Sequence, residues 1–280
     1  MDRKRFEGYL LVTDMDGTLL NAQKEISKEN LAAIERFVAQ GGLFTVATGR
    51  IVEPAGYFVK QLPVNAPAIL YNGAVIYDYS REEAIWQSKL PDAGKAALQQ
   101  VVEAFPGIGA EIYVQGEPYP YVLRENEWTA RHRQIERFPY QPIDDVTKVP
   151  PDWLKVLFAW EPERLDQTSE AIVRLTEAAQ IEWVRSDDRY FEMLARGATK
   201  GHALELLTDK IGIAMERCVA IGDHLNDLEM IRRAGIGVAV ENAHPLLIEA
   251  ANRKGKHHQE HAVADVIEWL EAQAEAEARS

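Results

Sequence analysis

The chain has 280 residues, 46% hydrophobic and 27% charged, the composition of a globular protein with room for one large domain or two ordinary ones. Its net charge of -13 argues against a nucleic-acid partner, because phosphate backbones select basic faces, and no stretch approaches the ~18 apolar residues of a membrane span. A single cysteine, Cys218, excludes a disulfide within the chain and fits a reducing cytoplasm.

The opening "MDRKRFEGYLLV" is basic, as an export signal would be, but its apolar run is shorter than the ~7–15 residues such a signal needs and ends in aspartates. "YLLVTD" (9–14) reads as a buried strand that runs into "DMDGT" (14–18). On an extended segment Asp14 and Asp16 share one side, about 6.6 Å apart at ~3.3 Å per residue. Two like charges so close repel unless a cation or a shared proton lies between them, so the pattern asks for a metal, for acid–base chemistry, or for both. Ser27 then caps a helix whose apolar face is Leu31, Ile34, Phe37 and Val38 and which stops at Gly41-Gly42. Residues 43–48 form a second apolar strand, 51–61 a helix, and "PAILYNGAVIYD" (67–78) two strands folded about Asn72-Gly73.

Residues 82–189 differ in character. They hold most of the tryptophans and prolines, strand-like "EIYVQ" (111–115) and "WLKVLFAW" (153–160), and amphipathic stretches at 94–105 and 163–179. An α+β insert, two helices on an antiparallel sheet, fits them. The alternation then resumes with a helix over 199–211, the strand "CVAIGD" (218–223), a helix over 225–234, the strand "GIGVAV" (235–240) and two closing helical stretches. The last of these ends in the low-complexity "EAQAEAEARS", a fraying helix end. There are no internal repeats. Apolar strands alternating with helices predict an α/β fold, a doubly wound parallel sheet over 1–81 and 190–280 carrying an inserted α/β domain at 82–189. Ligands in such sheets bind beyond the carboxyl ends of the strands, where Asp14, Thr48 and Asp223 all fall.

Phosphoryl transfer to a carboxylate needs a nucleophilic aspartate, a second carboxylic acid to protonate the leaving oxygen and later activate water, Mg²⁺ to offset negative charge, and donors for the phosphoryl oxygens. Each part is present. Asp14 and Asp16 supply the pair, and Gly17 lets backbone approach a phosphate closely. "TGR" (48–50) supplies a hydroxyl, open amides and a guanidinium, and Lys200 in "GATKGHAL" an ammonium at a helix start. "GDHLND" (222–227) supplies Asp223 and Asp227, hard oxygen ligands suited to Mg²⁺.

"DMDGT", "TGR", the lysine of "TKGHAL" and "GDHLND", in this order, resemble the four motifs of haloacid dehalogenase (HAD) superfamily phosphatases, and "YNGA" with the large insert resembles their Cof-like, IIB branch. The resemblance implies a cytoplasmic hydrolase, a Mg²⁺-dependent phosphatase of small phosphate monoesters, sugar phosphates foremost, working through an aspartyl-phosphate. It implies that Asp14 is nucleophile and metal ligand, and Asp16 the acid–base residue whose carbonyl also meets the metal. Asp223 is the third ligand, with Asp227 supporting behind it. Thr48, Gly49, Asn72, Lys200 and Asn226 hold the phosphoryl group, and Arg50 faces the cap or substrate. The expected partner is a small phosphorylated metabolite, with no nucleic acid and no membrane, the chain acting as a monomer or homodimer. A phosphomutase and a non-catalytic sugar-phosphate sensor are the rival readings, the latter opposed by the intact acid–base pair.

Two departures stand out. His224 occupies a place where the branch often has a smaller polar residue, and "RKGKHHQEHAVADVIEWL" (253–270) lacks the acidic–glycine step that commonly precedes the last helix. His257, His258 and His261 in that stretch raise a transition-metal site, although a solvated polar loop explains them without one. Arg124, Arg131 and Arg133 in the insert could meet an anionic leaving group or simply form a charged helix face.

Overall fold

A computed structural model describes residues 4–176 and 180–279. The end of the helical stretch read at 163–179, and Ser280 of the final helix, lie outside the described residues. The chain divides into two compact units. One runs to Gly49, takes in Ala55–Ile85 and resumes at Thr199; the other holds Arg50–Pro54 and Trp86–Ala198.

The first unit is built on strands β1 (Leu10–Thr13) and β2 (Leu43–Val46), with α1 (Lys28–Ala39) between them and α2 (Val52–Val59) following, the helix belonging to this unit from Ala55 on. A small sheet of β3 (Ala68–Leu70), β4 (Val75–Asp78) and β5 (Glu83–Gln87) comes next. After the second unit, α6 (Lys200–Ile211), β12 (Cys218–Gly222), α7 (Leu228–Arg233), β13 (Ile236–Ala239), α8 (Pro245–Ala250), β14 (Arg253–Lys254) and α9 (Ala262–Arg279) complete it. The five-stranded sheet has the order β14-β13-β12-β1-β2, and its strands pair in parallel. Leu10, Leu11 and Val12 are all fully buried, so both faces of β1, an interior strand, are covered, as a parallel sheet flanked by crossover helices requires. Ser27 caps α1 as expected, accepting from the amide of Asn30. Thr13 pairs with Val46 on one side and Ile221 on the other, so three strands end level and their following loops emerge along one edge.

The second unit contains α3 (Asp92–Ala104), β6 (Gly109–Val114), β7 (Tyr121–Arg124), α4 (Glu127–Glu136), β8 (Gln141–Pro142), β9 (Trp153–Ala159), α5 (Pro162–Thr176), β10 (Ile181–Asp187) and β11 (Tyr190–Ala195). Its six-stranded sheet runs β10-β11-β9-β6-β7-β8, antiparallel except between β7 and β8. Alternation sorts its residues. Ala110, Ile112, Val156, Phe158, Phe191 and Met193 join residues of α3 and α5 in one apolar core. The opposite face carries Glu111, Tyr113, Lys155 and Glu192, with Lys155 and Glu192 forming a buried ion pair at 2.8 Å. A third helix, α4, joins the two expected, its Asn126 cap accepting from the amides of Trp128 and Thr129.

The seams differ from the sequence reading of 82–189. β5 pairs back into the small sheet of the first unit, and Tyr190–Ala195 belongs to the sheet of the second, hydrogen-bonded to β9. The hairpin between β10 and β11 escapes a sequence reading because no glycine marks it. Asp187 closes it instead, accepting from the amide and the guanidinium of Arg189 at 2.9 and 2.7 Å. Among the described residues no helix is long and apolar enough to cross a membrane.

The missing glycine step before α9 has a local consequence. His261 ends a 3-10 turn (His258–Glu260) with φ 61° and ψ 51°, the left-handed region in which glycine is at ease and a residue with a Cβ is not. Its ring reaches Glu29 only at 3.5 Å with both side chains substantially exposed, a contact worth little. His261→Gly should therefore raise stability by about 1 kcal/mol, read as a higher urea midpoint at unchanged slope. An unchanged or lower midpoint would show that the histidine ring holds the turn.

Candidate active site

β1 ends at Thr13, immediately before the aspartates, so the pair lies in the segment that leaves the strand. Asp14 keeps the strand's last bond, donating its amide to the Ile221 carbonyl at 2.8 Å, and the chain then turns: the Met15 carbonyl accepts from the amides of Thr18, Leu19 and Leu20. The two aspartates meet different surroundings. Asp14 is buried among carboxylates, while Asp16 is half-exposed and accepts from Lys24 Nζ at 2.6 Å.

Lys200 organises the centre. It is the first residue of α6, whose cap Thr199 accepts from the amide of His202, and its Nζ donates to Asp14 Oδ1 and Asp227 Oδ1, each at 2.6 Å. The Lys200 side chain is 0% exposed. Asp227 uses its other oxygen to accept from the amides of Asp223 and His224, at 3.0 and 3.2 Å, closing the loop that follows β12. Asp14, Asp223 and Asp227 each offer an oxygen within 4.8 Å of the others. Gly17 makes this possible: it sits at φ 86°, and a Cβ there would lie 2.4 Å from Asp223 Oδ2.

Three carboxylates around one ammonium leave excess negative charge. Burial pushes the Asp14 carboxyl up to about 7, a rise that Lys200 restrains and Asp227 adds to. Burial, then the charges of Asp14 and Asp227, hold Asp223 well above the usual carboxylate range. Burial alone would lower Lys200, but the attraction of Asp14 and Asp227 more than offsets it and raises the ammonium above its ordinary value. Hard oxygens clustered in a charge-deficient cradle fit a divalent cation such as Mg²⁺.

A polar wall stands beside the carboxylates. The buried Thr48 donates its amide to the Ile69 carbonyl and accepts from the amide of Asn72 at 3.0 Å. Asn72 is held at φ 55°, and its side chain lies where a Cβ on Gly49 would meet it at 3.0 Å. Asn226 Nδ2 donates to Asn72 Oδ1 at 3.0 Å, leaving Asn72 Nδ2 as a buried donor with no partner among the described residues. A buried amide donor of that kind suits an anionic oxygen. Arg50 is engaged elsewhere: it groups with the second unit and donates to Glu136 at 2.9 Å, both side chains buried.

Several residues not singled out above support this edge. Thr18 donates to Asp223 Oδ1 at 3.0 Å and Asn242 to the Gly17 carbonyl at 2.8 Å. The amide of His244 donates to the Asp223 carbonyl at 2.7 Å. The rule that selected Asp14, Thr48 and Asp223 extends to Asn242, since β13 ends at the same edge, and Thr18 closes the "DMDGT" motif; nothing in the sequence points to Lys24. His258 donates its amide to Asn242 Oδ1, and its Nδ1 lies 2.8 Å from the Leu20 carbonyl, while His224 packs edge-on to His244. His257 and His258 brace backbone, His257 accepting from the amide of Gln259; among the described residues the one group of three or more clustered metal-ligating side chains is that of Asp14, Asp223 and Asp227.

The sequence profile of the haloacid dehalogenase-like hydrolases matches residues 11–267. A 5-amino-6-(5-phospho-D-ribitylamino)uracil phosphatase of Bacillus subtilis is 31% identical, over 93% of this chain and 97% of its own length. An HMP-PP phosphatase of Serratia proteamaculans is 30% identical, over 93% and 95%. Among solved structures, a haloacid dehalogenase-like hydrolase from Bacteroides thetaiotaomicron superposes with a TM-score of 0.80 at 27% identity, over 94% of this chain and 99% of that one. Spanning that match from its first strand to its last helix, and carrying a carboxylate cluster at the strand ends, the chain belongs to the haloacid dehalogenase-like hydrolases, as a phosphoric monoester hydrolase of their Cof-like branch.

Proposed function

We propose that this phosphatase is Mg²⁺-dependent and hydrolyses small phosphate monoesters, sugar and sugar-alcohol phosphates foremost, by passing the phosphoryl group to Asp14 and then to water. The observation that carries this reading is the buried Lys200 clamped between Asp14 and Asp227, with Asp223 completing the carboxylate cluster. The substrate class draws support from the Bacillus subtilis relative, whose named substrate bears its phosphate on a ribityl chain.

Asp14, Asp223 and the backbone carbonyl of Asp16 would hold the ion, whose charge lets an anionic nucleophile approach an anionic phosphate. Lys200 keeps Asp14 ionised and aimed, and its position is fixed from behind by Asp227, both of whose oxygens are already committed. Thr48, the Gly49 amide, Asn72, Lys200 and Asn226 supply donors for the phosphoryl oxygens. As the bond from an Asp14 oxygen to phosphorus forms and the ester P–O bond breaks, Asp16 gives its proton to the departing oxygen. Asp16 then takes a proton from water as that water attacks phosphorus, releasing phosphate and restoring the Asp14 carboxylate. The inserted unit takes the role of the cap that selects substrate. Phosphate release from a panel of sugar, sugar-alcohol and nucleotide monoesters, with and without Mg²⁺, tests the reading; no release from any ester with Mg²⁺ present would remove it.

Asp14→Asn should abolish turnover and leave a folded protein. The pH dependence follows from the raised Asp14 carboxyl. A folded state that binds this proton more tightly than the unfolded chain gains stability below the ordinary carboxylate range and loses it as pH rises through about 7. Asparagine keeps the neutral form throughout. The metal-free melting temperature of Asp14→Asn should therefore match or exceed wild type at pH 8, the difference closing towards pH 4. A variant much less stable than wild type at pH 8 would mean that the bond to Lys200 outweighs the repulsion.

Asp16→Asn separates the two aspartates by role. A phenolate leaves without an acid, whereas an alkoxide needs one, so alkyl esters should slow at the first step and aryl esters mainly at hydrolysis of the intermediate. Rapid mixing with an activated aryl phosphate should give a burst of phenol equal to the enzyme, and intact-mass spectrometry one added phosphoryl group on Asp14. Equal slowing of both ester classes, with neither burst nor adduct, would assign Asp16 to structure or metal binding.

A further inference from the structure

Lys24 occupies a turn that would fold better with another residue. Leu20 and Ile26 bridge in antiparallel fashion, the amide of Asn21 donates to the Glu25 carbonyl at 3.0 Å, and that of Lys24 to the Asn21 carbonyl at 2.9 Å. The Asn21 side chain accepts from the amides of Gln23 and Glu25 at 3.0 and 2.9 Å, closing the loop on itself. Such a hairpin needs a left-handed residue just before the returning strand, a place that favours glycine or asparagine. Lys24 stands there at φ 59°. Its ammonium donates to Asp16 Oδ1 at 2.6 Å, with the two side chains 38% and 32% exposed. An ion pair that exposed adds little to stability, and a left-handed lysine subtracts from it. Folding gains nothing from lysine at this position, and the carboxylate it grips is the acid–base group of the proposed reaction.

We infer that Lys24 is a positioning residue for the acid–base step: the hairpin presents its ammonium to Asp16 Oδ1 and so fixes the orientation of the carboxyl group that passes a proton to the leaving oxygen. The inference rests on the phosphatase mechanism proposed above. As the ester P–O bond breaks and the bond from Asp14 to phosphorus forms, the proton passes from Asp16 to the departing oxygen, and the carboxylate left behind is the form that Lys24 holds. Without Lys24 the side chain samples other rotamers, and a proton donor misplaced by about 1 Å loses much of its effect.

The test compares wild type with Lys24→Gly and Lys24→Cys, using kcat/KM for an aryl phosphate and for glycerol phosphate. Both values report events up to the first phosphoryl transfer. Lys24→Gly should keep or raise the melting temperature, because glycine relieves the left-handed backbone, while the alkyl-to-aryl ratio of kcat/KM falls about tenfold, a part of the ~10²–10⁴ that general acid catalysis supplies. Lys24→Cys should show the same fall, and treatment with bromoethylamine, which rebuilds an ammonium on a stem of the same length, should restore the ratio. Cys218 is buried, and burial pushes its thiol up to about 12, so it should escape alkylation; wild type treated in parallel is the control. An unchanged ratio in Lys24→Gly overturns the inference. So does a loss confined to the KM of esters with a second anionic group, which would make Lys24 a substrate contact, or a loss that tracks a lower melting temperature and resists aminoethylation. Wild type inactive on every ester removes the phosphatase mechanism and this inference with it. Wild type that is active and silenced by Asp14→Asn, with a ratio indifferent to Lys24, removes the inference alone.

Discussion

The ammonium of Lys200 is the interaction on which the site depends. Removing a charge from water costs several kcal/mol unless partners replace the lost solvation, and Lys200 sits with its side chain wholly buried in the first turn of α6, where the helix dipole also opposes a cation. Two carboxylates at 2.6 Å compensate for both. The dependence is mutual. Asp14 and Asp227 are nearly inaccessible to solvent, and Lys200 is the ammonium that both of them contact. A site arranged in this way is held by its own chemistry, and it stays short of positive charge by an amount that suits a divalent ion.

That arrangement requires residues far apart in the chain to arrive at one edge. Parallel register does this: β1 pairs residue for residue with β2 and β12, so Asp14, Thr48 and Asp223 leave the sheet together. Backbone then fixes the spacing. Asp14 donates to the Ile221 carbonyl, His244 to the Asp223 carbonyl, and Thr48 exchanges bonds with Ile69 and Asn72. The loops are short and tied at several points, which keeps the carboxylates together against their repulsion. The single glycine at φ 86°, Gly17, admits Asp223 where any side chain would exclude it.

The second unit obeys a different rule. Its sheet buries one apolar face under α3 and α5 and places Glu111, Tyr113, Lys155 and Glu192 on the other. These charges satisfy one another: Lys155 with Glu192, and Glu111 with Tyr113 at 2.6 Å and His132 at 2.9 Å. A sheet face of this kind contributes little to hydrophobic stability and is costly unless its partners are complete.

The sequence by itself determined the period and the ends of the elements. Continuous apolar runs gave away the parallel strands, Ser27 and Gly41-Gly42 bounded the first helix, and Asp14, Thr48 and Asp223 were identifiable because a strand's carboxyl end is a local property of the chain. The insert announced itself by composition, but its seams did not, because β5 and β11 choose their sheets by pairing partners distant in sequence. What only the tertiary structure decided is which charges meet. The burial of Asp14 beside a half-exposed Asp16 depends on how the chain turns after β1, the joining of Asp227 to Asp14 on Lys200 arriving from 186 residues away, and the grip of Lys24 on Asp16 on a hairpin with no glycine to mark it. Hydrophobic periodicity is read along the chain, whereas the sharing of one ammonium by two carboxylates is a property of space, and only the folded chain has it.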